Sequence, residues 1–238
     1  LNRQAMTPIE KRFKRLQQYT ADASPELRSP LMAISSNAEL ALKYSDGMRE
    51  DDRETFDVIL NATAQMSALT ADLLMLTRTD QATALETQAV DLSELLHGLG
   101  RLYQPLAQQQ GLDFNLEISS GLACQGNATL LQRAITNLIQ NALRYTVNGA
   151  IALKAEAQGR QIHITVTDTG IGIAPQHLEA IFERFWRADQ ARKHADGGSG
   201  LGLAITQAII QHHGGTIAVT SQVNHGSCFK VNLPRQKP

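Results

Sequence analysis

Phe13, Leu16, Thr20, Ala23, Leu27, Leu31, Ile34, Ala38 and Ala41 recur at alternating spacings of three and four residues. That spacing lines them along one face of an α-helix. Asp46-Gly47, inside "YSDGMREDD", breaks the pattern with a turn signal. Ile59, Ala62, Met66, Leu69, Leu73 and Leu76 then make a second stripe of the same period. Two helices joined by a short turn form a hairpin. Its seam would stay wet in a single copy, whereas pairing two hairpins into a four-helix bundle covers it. The pattern therefore predicts a homodimer through the hairpin; packing of the seam on the rest of the chain is the alternative.

After the second stripe the period changes. "TRTDQATALETQAV", Thr77 to Val90, has little periodicity and reads as a linker. "ELLHGLGRLYQPLAQQQ" is a helix, "LDFNLEI" alternates as a strand, and "NATLLQRAITNLIQNALRYT" is a helix with Asn127 or Thr129 near its N-cap. "AIALKAEA" and "QIHITVTD" alternate about "QGR" as a hairpin. "PQHLEAIFERF" reads as a short helix opened by proline, "GLGLAITQAIIQHHGG" as a helix stopped by glycines, and "TIAVTSQVNHGSCFKVNLP" as a closing hairpin through Asn224, His225 and Gly226. Helices on one side of a mixed sheet make an α/β sandwich. The expected division is residues 1–80 for the hairpin with a lead-in helix, 81–88 for the linker and 89–238 for the sandwich.

Composition narrows the classes. The 238 residues are 42% hydrophobic, enough for a real core, and 22 basic against 23 acidic residues leave a net charge of -1. That balance gives no electrostatic case for nucleic acid or for a polybasic membrane contact. Cys124 and Cys228 lie far apart without ligand spacing, as ordinary residues of a reducing compartment do. No run of about 18 apolar residues and no signal peptide is found, so the chain as given reads as soluble. It opens on Leu1 without an initiator Met and reads as a piece of something longer.

Three short stretches carry candidate chemistry. In "NLIQNA", Asn137 and Asn141 share a helix face, and an amide oxygen can coordinate a hard cation such as magnesium; ordinary surface or capping asparagines are the alternative. In "DTGIGI", Asp168 ends a strand before Gly170 and Gly172, an acid able to accept from an exocyclic amine beside a close-approaching backbone; a plain strand exit is the alternative. In "GGSGLGLA", Gly198, Gly200 and Gly202 lead into a helix whose first N–H groups can meet an anion. It is neither a P-loop nor a dinucleotide fingerprint. Arg192 and Lys193, just upstream, could reach phosphates or simply stay solvated.

In this order, with "FERFWR" (Phe182 to Arg187) between the last two, the stretches resemble the nucleotide site of the histidine kinase, gyrase and heat-shock ATPase superfamily, over about residues 89 to 235. "FERFWR" is close to the pattern of sensor histidine kinases, and gyrase-type ATPases lack it. The resemblance implies ATP and Mg2+ as cofactors. By position it assigns Asp168 to the adenine amine and Asn141 to magnesium. Asn137 stands where the ATPase branches place a catalytic Glu, and would help order the phosphate end. Arg144 and Tyr145 match a basic-aromatic pair expected near phosphate and adenine. Gly170, Gly172, Gly198, Gly200, Leu201 and Gly202 belong to the two nucleotide loops, and Arg187 is the cation expected near the γ-phosphate. An amide in place of an acid at Asn137 argues against water activation and for transfer to another nucleophile.

The hairpin resembles the same kinases. Their first dimerisation helix carries Ser-His-Glu-Leu-Arg-x-Pro-Leu; here Ser24, Pro25, Glu26, Leu27, Arg28, Ser29, Pro30 and Leu31 stand in register. Pro30 is the family's own proline, and Pro25 occupies the phosphoacceptor position. Ser24-Pro25-Glu26 is also a respectable helix start, but the apolar register runs through it without a slip. In a continuous helix Pro25 costs roughly 3 kcal/mol, which predicts a bend near residues 21 to 24. A peptide-bound proline has no nucleophilic nitrogen, so no phosphoramidate forms there, and Glu26 loses the imidazole it would polarise. Ser29 stands where family members that dephosphorylate their regulator carry Thr or Asn. His97, His163, His177, His194, His212, His213 and His225 all follow the linker; none reads as an acceptor, and most read as exposed or strand residues.

The resemblance thus implies the cytoplasmic transmitter of a two-component sensor histidine kinase, blocked in autophosphorylation. It would partner a response-regulator receiver domain, and its parent would span the inner membrane, since "LNRQAMTPIEKRFKRLQ" looks like a juxtamembrane lead-in helix. A naturally degenerate pseudokinase, acting as ATP-binding scaffold or regulator phosphatase, is the alternative. A gyrase-like ATPase is weakened by Asn137 and by the hairpin.

Overall fold

The computed structural model describes residue 27 and residues 29–45, 47–80, 87–187 and 199–236. Pro25, Glu26, the bend expected at 21–24, the lead-in helix, Gly198 and the pair Arg192 and Lys193 lie outside the described residues. The chain divides into two compact units, Leu1–Ala82 and Thr83–Pro238.

In the first unit, residues 29–43 form α1 and Glu50–Asp80 form α2. Gly47, at φ +81°, sits in the turn between them. Arg53, in the first turns of α2, reaches back 2.6 Å to the Ser45 hydroxyl, and Glu50, Asp51 and Asp52 place negative charge at the α2 N-terminus, where the helix dipole favours it. The first stripe divides by heptad position. Leu31 and Ala38, seven apart, are buried; Leu27 and Ile34, also seven apart, are 49% and 46% exposed. On α2, Thr63 is buried and back-bonded to the Ile59 and Leu60 carbonyls, while Met66 and Val58 are exposed. α2 continues to Asp80, so the stretch read as linker from Thr77 is helical over its first four residues.

The second unit is a five-stranded mixed sheet covered on one face by helices. In chain order it runs β1 (Gln88–Asp91), α3 (Leu92–Gln109), β2 (Leu112–Ile118), β3 (Ala123–Gly126), α4 (Ala128–Tyr145), β4 (Gly149–Gln158), β5 (Gln161–Asp168), α5 (Gly202–His212), β6 (Thr216–Gln222) and β7 (Gly226–Pro234). The sheet order is β2-β4-β5-β7-β6, parallel between β2 and β4 and antiparallel elsewhere. A helical region followed by an α/β sandwich is thus the observed architecture.

Alternation explains the layers. Ile162, Ile164 and Val166 of β5 point to the covered face with Ile151 and Leu153 of β4 and Phe229 and Val231 of β7, all buried. Leu96 and Leu99 of α3, Leu131, Leu138 and Ile139 of α4 and Ile205 and Ile209 of α5 supply the helical half of that core. The opposite face carries polar side chains, among them the Lys154–Glu117 pair at 2.7 Å between register partners of β2 and β4. Asn127 caps α4 by accepting from the Leu130 amide at 3.1 Å.

Two local readings are corrected. The end of the supposed linker is strand β1, paired antiparallel with β3 from Gln88↔Gly126 to Asp91↔Ala123; four-residue strands with a single buried Val90 offer too little period to detect. The stretch after Pro175 forms two 3-10 turns, Pro175–His177 and Ala180–Phe182, rather than an α-helix, anchored by buried Ile181.

Candidate functional site

The buried row of β5 ends in a carboxylate. Period-two alternation places Asp168 on the same face as Ile162, Ile164 and Val166, and it is only 7% exposed. Its Oδ1 accepts from the Gly170 amide at 2.9 Å and the Ser227 amide at 3.3 Å, whereas Oδ2 accepts from no described residue. Burial pushes its pKa above the usual carboxylate value, and the two amide bonds oppose the rise. An acceptor is therefore held by the backbone with its second oxygen in reserve.

The loop after β5 is laced to its surroundings. The Ile171 amide donates to the Tyr145 carbonyl at the end of α4 (3.1 Å), the Asn224 amide donates to the Ile171 carbonyl (2.8 Å), and the Ile173 amide donates to the Ser221 hydroxyl (2.8 Å). Gly170 has no room for a Cβ against the Tyr145 carbonyl. Gly172, at φ +68°, would drive one into the Gln222 carbonyl, so both shape and close approach demand glycine there. Ser221 and Ser227 were not legible in the sequence: the first donates to the Gly226 carbonyl (2.8 Å) and meets the Ser227 hydroxyl at 3.0 Å. Ser227 reaches Asp168 through the β5–β7 pairing, 59 residues away, and Ser221 joins it from β6.

The second half of the site joins α4 to α5. Asn137 donates from Nδ2 to the Gly202 carbonyl at 3.0 Å and approaches the Thr206 hydroxyl at 3.4 Å. Thr206, fully buried, returns a bond to the same carbonyl at 2.9 Å. The first asparagine thus fastens the glycine loop to α4 instead of presenting its amide nitrogen to solvent. Asn141 and Tyr145 are half-buried and Arg144 is exposed, further along the same helix. Leu201, buried, precedes α5 and donates its amide to the Ser199 hydroxyl at 3.1 Å.

Between the halves runs the segment 182–187. Phe185 takes a positive φ of 64° and is 60% exposed, a backbone state that non-glycine residues seldom adopt without surrounding support. Its amide donates to the Gly200 carbonyl at 3.0 Å, and a Cβ on Gly200 (φ +69°) would press on the Phe185 and Trp186 backbone. Arg187 is half-buried beside them. Asp168, Gly170 and Gly172 are therefore gathered with Tyr145, Asn137 is gathered with Gly202, and Gly200 is gathered with the 182–187 segment.

A mixed sheet under three helices, with a buried aspartate and glycine loops at one end, defines an ATP-binding sandwich. Residues 126–237 match the family model described as histidine kinase-, DNA gyrase B- and HSP90-like ATPase, and residues 15–82 match the His Kinase A (phospho-acceptor) domain. Among curated proteins, the sensor histidine kinase RppB of Synechocystis sp. is 37% identical over 233 residues, 97% of this chain and 51% of that protein. The sensor-like histidine kinase SenX3 of Mycobacterium tuberculosis is 35% identical over 218 residues, 91% of this chain and 53% of that protein. The crystal structure of full-length ShkA in complex with AMPPNP superposes with a TM-score of 0.79 at 26% identity, covering 93% of this chain and 46% of that one. The chain belongs to the sensor histidine kinases of two-component systems, and spans about half the length of the curated relatives it matches. Among the described residues no helix is long and apolar enough to cross a membrane.

Proposed function

We propose that this chain is the transmitter region of its parent kinase, binding Mg-ATP for phosphotransfer to a histidine and onward to a response-regulator aspartate, with the first transfer blocked at Pro25. The observation that carries the nucleotide half is Asp168: a buried carboxylate, fixed through one oxygen by two amides, whose other oxygen, bonded to no described residue, would accept from an adenine amine. Asn141 offers a single neutral oxygen, which fits a magnesium ion that takes its other ligands from phosphates and water. Arg144, Arg187 and the loop of Gly198, Gly200, Leu201 and Gly202 would meet the phosphates, with Tyr145 near the base. Asn137 would hold the glycine loop in place, and its amide cannot take a proton from water, which favours transfer over hydrolysis.

Pro25 carries the blocked half. In the parent reaction an imidazole nitrogen would attack the γ-phosphorus, the bond to the β-phosphate oxygen would break and ADP would leave. The tertiary amide nitrogen of proline cannot begin that step. A dimer through the hairpin would cover the exposed Ile34, Glu26, Leu27 and Arg28 would contribute to the surface that docks a receiver domain, and a membrane anchor would belong to the parent protein. Domain limits of 1–80 for the hairpin and 89–238 for the sandwich belong to this reading, with Gln88, the last residue of the 81–88 linker, already paired in β1. The second reading, a degenerate pseudokinase used as scaffold or regulator phosphatase, rests on the same proline and on Ser29.

Calorimetric titration of the chain with Mg-ATP tests the nucleotide half. Asp168→Asn turns an acceptor into a donor facing the amine and is expected to weaken binding about 10- to 100-fold. Unchanged affinity in a folded Asp168→Asn chain would contradict the assignment.

A further inference from the structure

The half-buried His213, at the end of α5, spends both ring nitrogens on backbone. Nδ1 lies 2.7 Å from the Ile209 carbonyl, one turn back in its own helix. Nε2 lies 3.0 Å from the amide of Asn127, the residue that caps α4, 86 positions away. A carbonyl only accepts and an amide only donates, so one neutral tautomer, protonated on Nδ1, satisfies both. The fit is close on a third side: a Cβ on Gly126 would strike the ring.

α4 and α5 are therefore joined at two ends. Asn137 grips the Gly202 carbonyl where α5 begins, and His213 grips the N-cap of α4 where α5 stops. Two ties at opposite ends fix the axial register between the helices, as one could not. α4 carries Asn137, Asn141 and Arg144; α5 is entered from Gly200 and Leu201.

Resting on the nucleotide reading above, we propose that His213 is a positioning residue for the nucleotide site, locking α5 in register on α4 from the far end through its neutral ring. It touches no nucleotide. Protonation would put an N–H against the Asn127 amide and release that end. Burial holds the ring below its ordinary value of 6.5, the bond to the Ile209 carbonyl opposes this, and the charge of His212 adds to it. Gly126 and Asn127, which meet the ring from the end of β3 and the N-cap of α4, carry no charge.

Two variants separate the roles of the nitrogens. His213→Gln can place its amide oxygen near the Nε2 position and keep the bond to Asn127. His213→Asn is too short, and keeps only the bond to Ile209. Mg-ATP titrations of the full chain are run between pH 5.5 and 8, with hydrogen exchange followed at the Asn127 amide and across Gly202 to Thr206. The Asn variant is expected to bind about tenfold more weakly at pH 7.5 and to exchange faster at both places. The Gln variant is expected to stay near wild type and to lose the part of the acid weakening that His213 contributes; any share from Asp168 is common to both chains and cancels in the comparison. Wild-type affinity and protection in the Asn variant would overturn the proposal, as would a Gln variant as weak as the Asn one. If the unaltered chain takes up no Mg-ATP, the nucleotide reading fails by itself. The register claim then stands or falls on whether exchange in His213→Asn spreads to Gly202–Thr206 or stops at Asn127.

Discussion

The two units meet water in opposite ways. In the sheet unit the facing rows of β4, β5 and β7 and most of the stripes of α3, α4 and α5 are closed, with residues such as Leu96, Ile139 and Ile209 wholly buried and Leu106 at the end of the α3 stripe exposed. In the hairpin unit one heptad position is covered, at Leu31 and Ala38, and its companion at Leu27 and Ile34 is open, with Met32, Leu40 and Met66 also exposed. Burial of apolar surface contributes roughly 25 cal/mol per Å2, so the sheet unit has a finished core and the hairpin unit leaves part of that term unclaimed. On the function proposed above, the sheet unit would need no partner for its core and the hairpin unit would take a second copy.

Truncation in the finished core breaks the comparison hardest. Leu138→Ala is expected to destabilise the sheet unit by about 2–5 kcal/mol, whereas Leu40→Ala, at an exposed position of α1, should shift the unfolding of a monomer by no more than about 0.5 kcal/mol. Chemical denaturation of both variants checks this; equal losses would erase the contrast. A charge on the open face sharpens it from the other side. Ile34→Glu should weaken self-association by about tenfold or more in sedimentation while Mg-ATP affinity is unchanged. A sedimentation profile identical to that of the unaltered chain would remove the dimer from the account.

Smaller effects follow within the sheet unit. Asn127→Ala removes a side-chain cap from α4 and is expected to cost about 1 kcal/mol, measured by thermal unfolding. His213 gives the pH dependence. Its folded pKa lies below the ordinary 6.5, so the unfolded chain binds the extra proton first. Its contribution is complete above 6.5 and is lost as pH falls through the window below it. His213→Gln should flatten that part of the stability profile. Least of all, removing the Arg101–Glu94 pair (3.0 Å, 67% and 73% exposed) should be nearly silent.

What the chain announced in its own letters follows the same division. Strands and helices of the sheet unit were readable because their periods run for seven residues or more, and Asp168 was readable because it completes a period-two row beside glycines. Family membership was readable from the order of "NLIQNA", "DTGIGI", "FERFWR" and "GGSGLGLA", which the two family models bear out. Strands β1 and β3 were not, being four residues each. Nor were Ser221, Ser227 and His213, whose partners arrive only when distant segments pair. "QHHGG" reads locally as nothing more than a helix end, and the expectation that histidines here would be exposed or in strands missed the one that ties α5 to α4.

The central claim is a kinase core silenced at one residue, and γ-phosphate labelling of this chain beside its Pro25→His variant tests it most directly. The account predicts no label on the unaltered chain and an acid-labile, base-stable label on Pro25→His. Absence of label on Pro25→His, with Mg-ATP still bound, would contradict it and leave a pseudokinase whose work is docking or dephosphorylation.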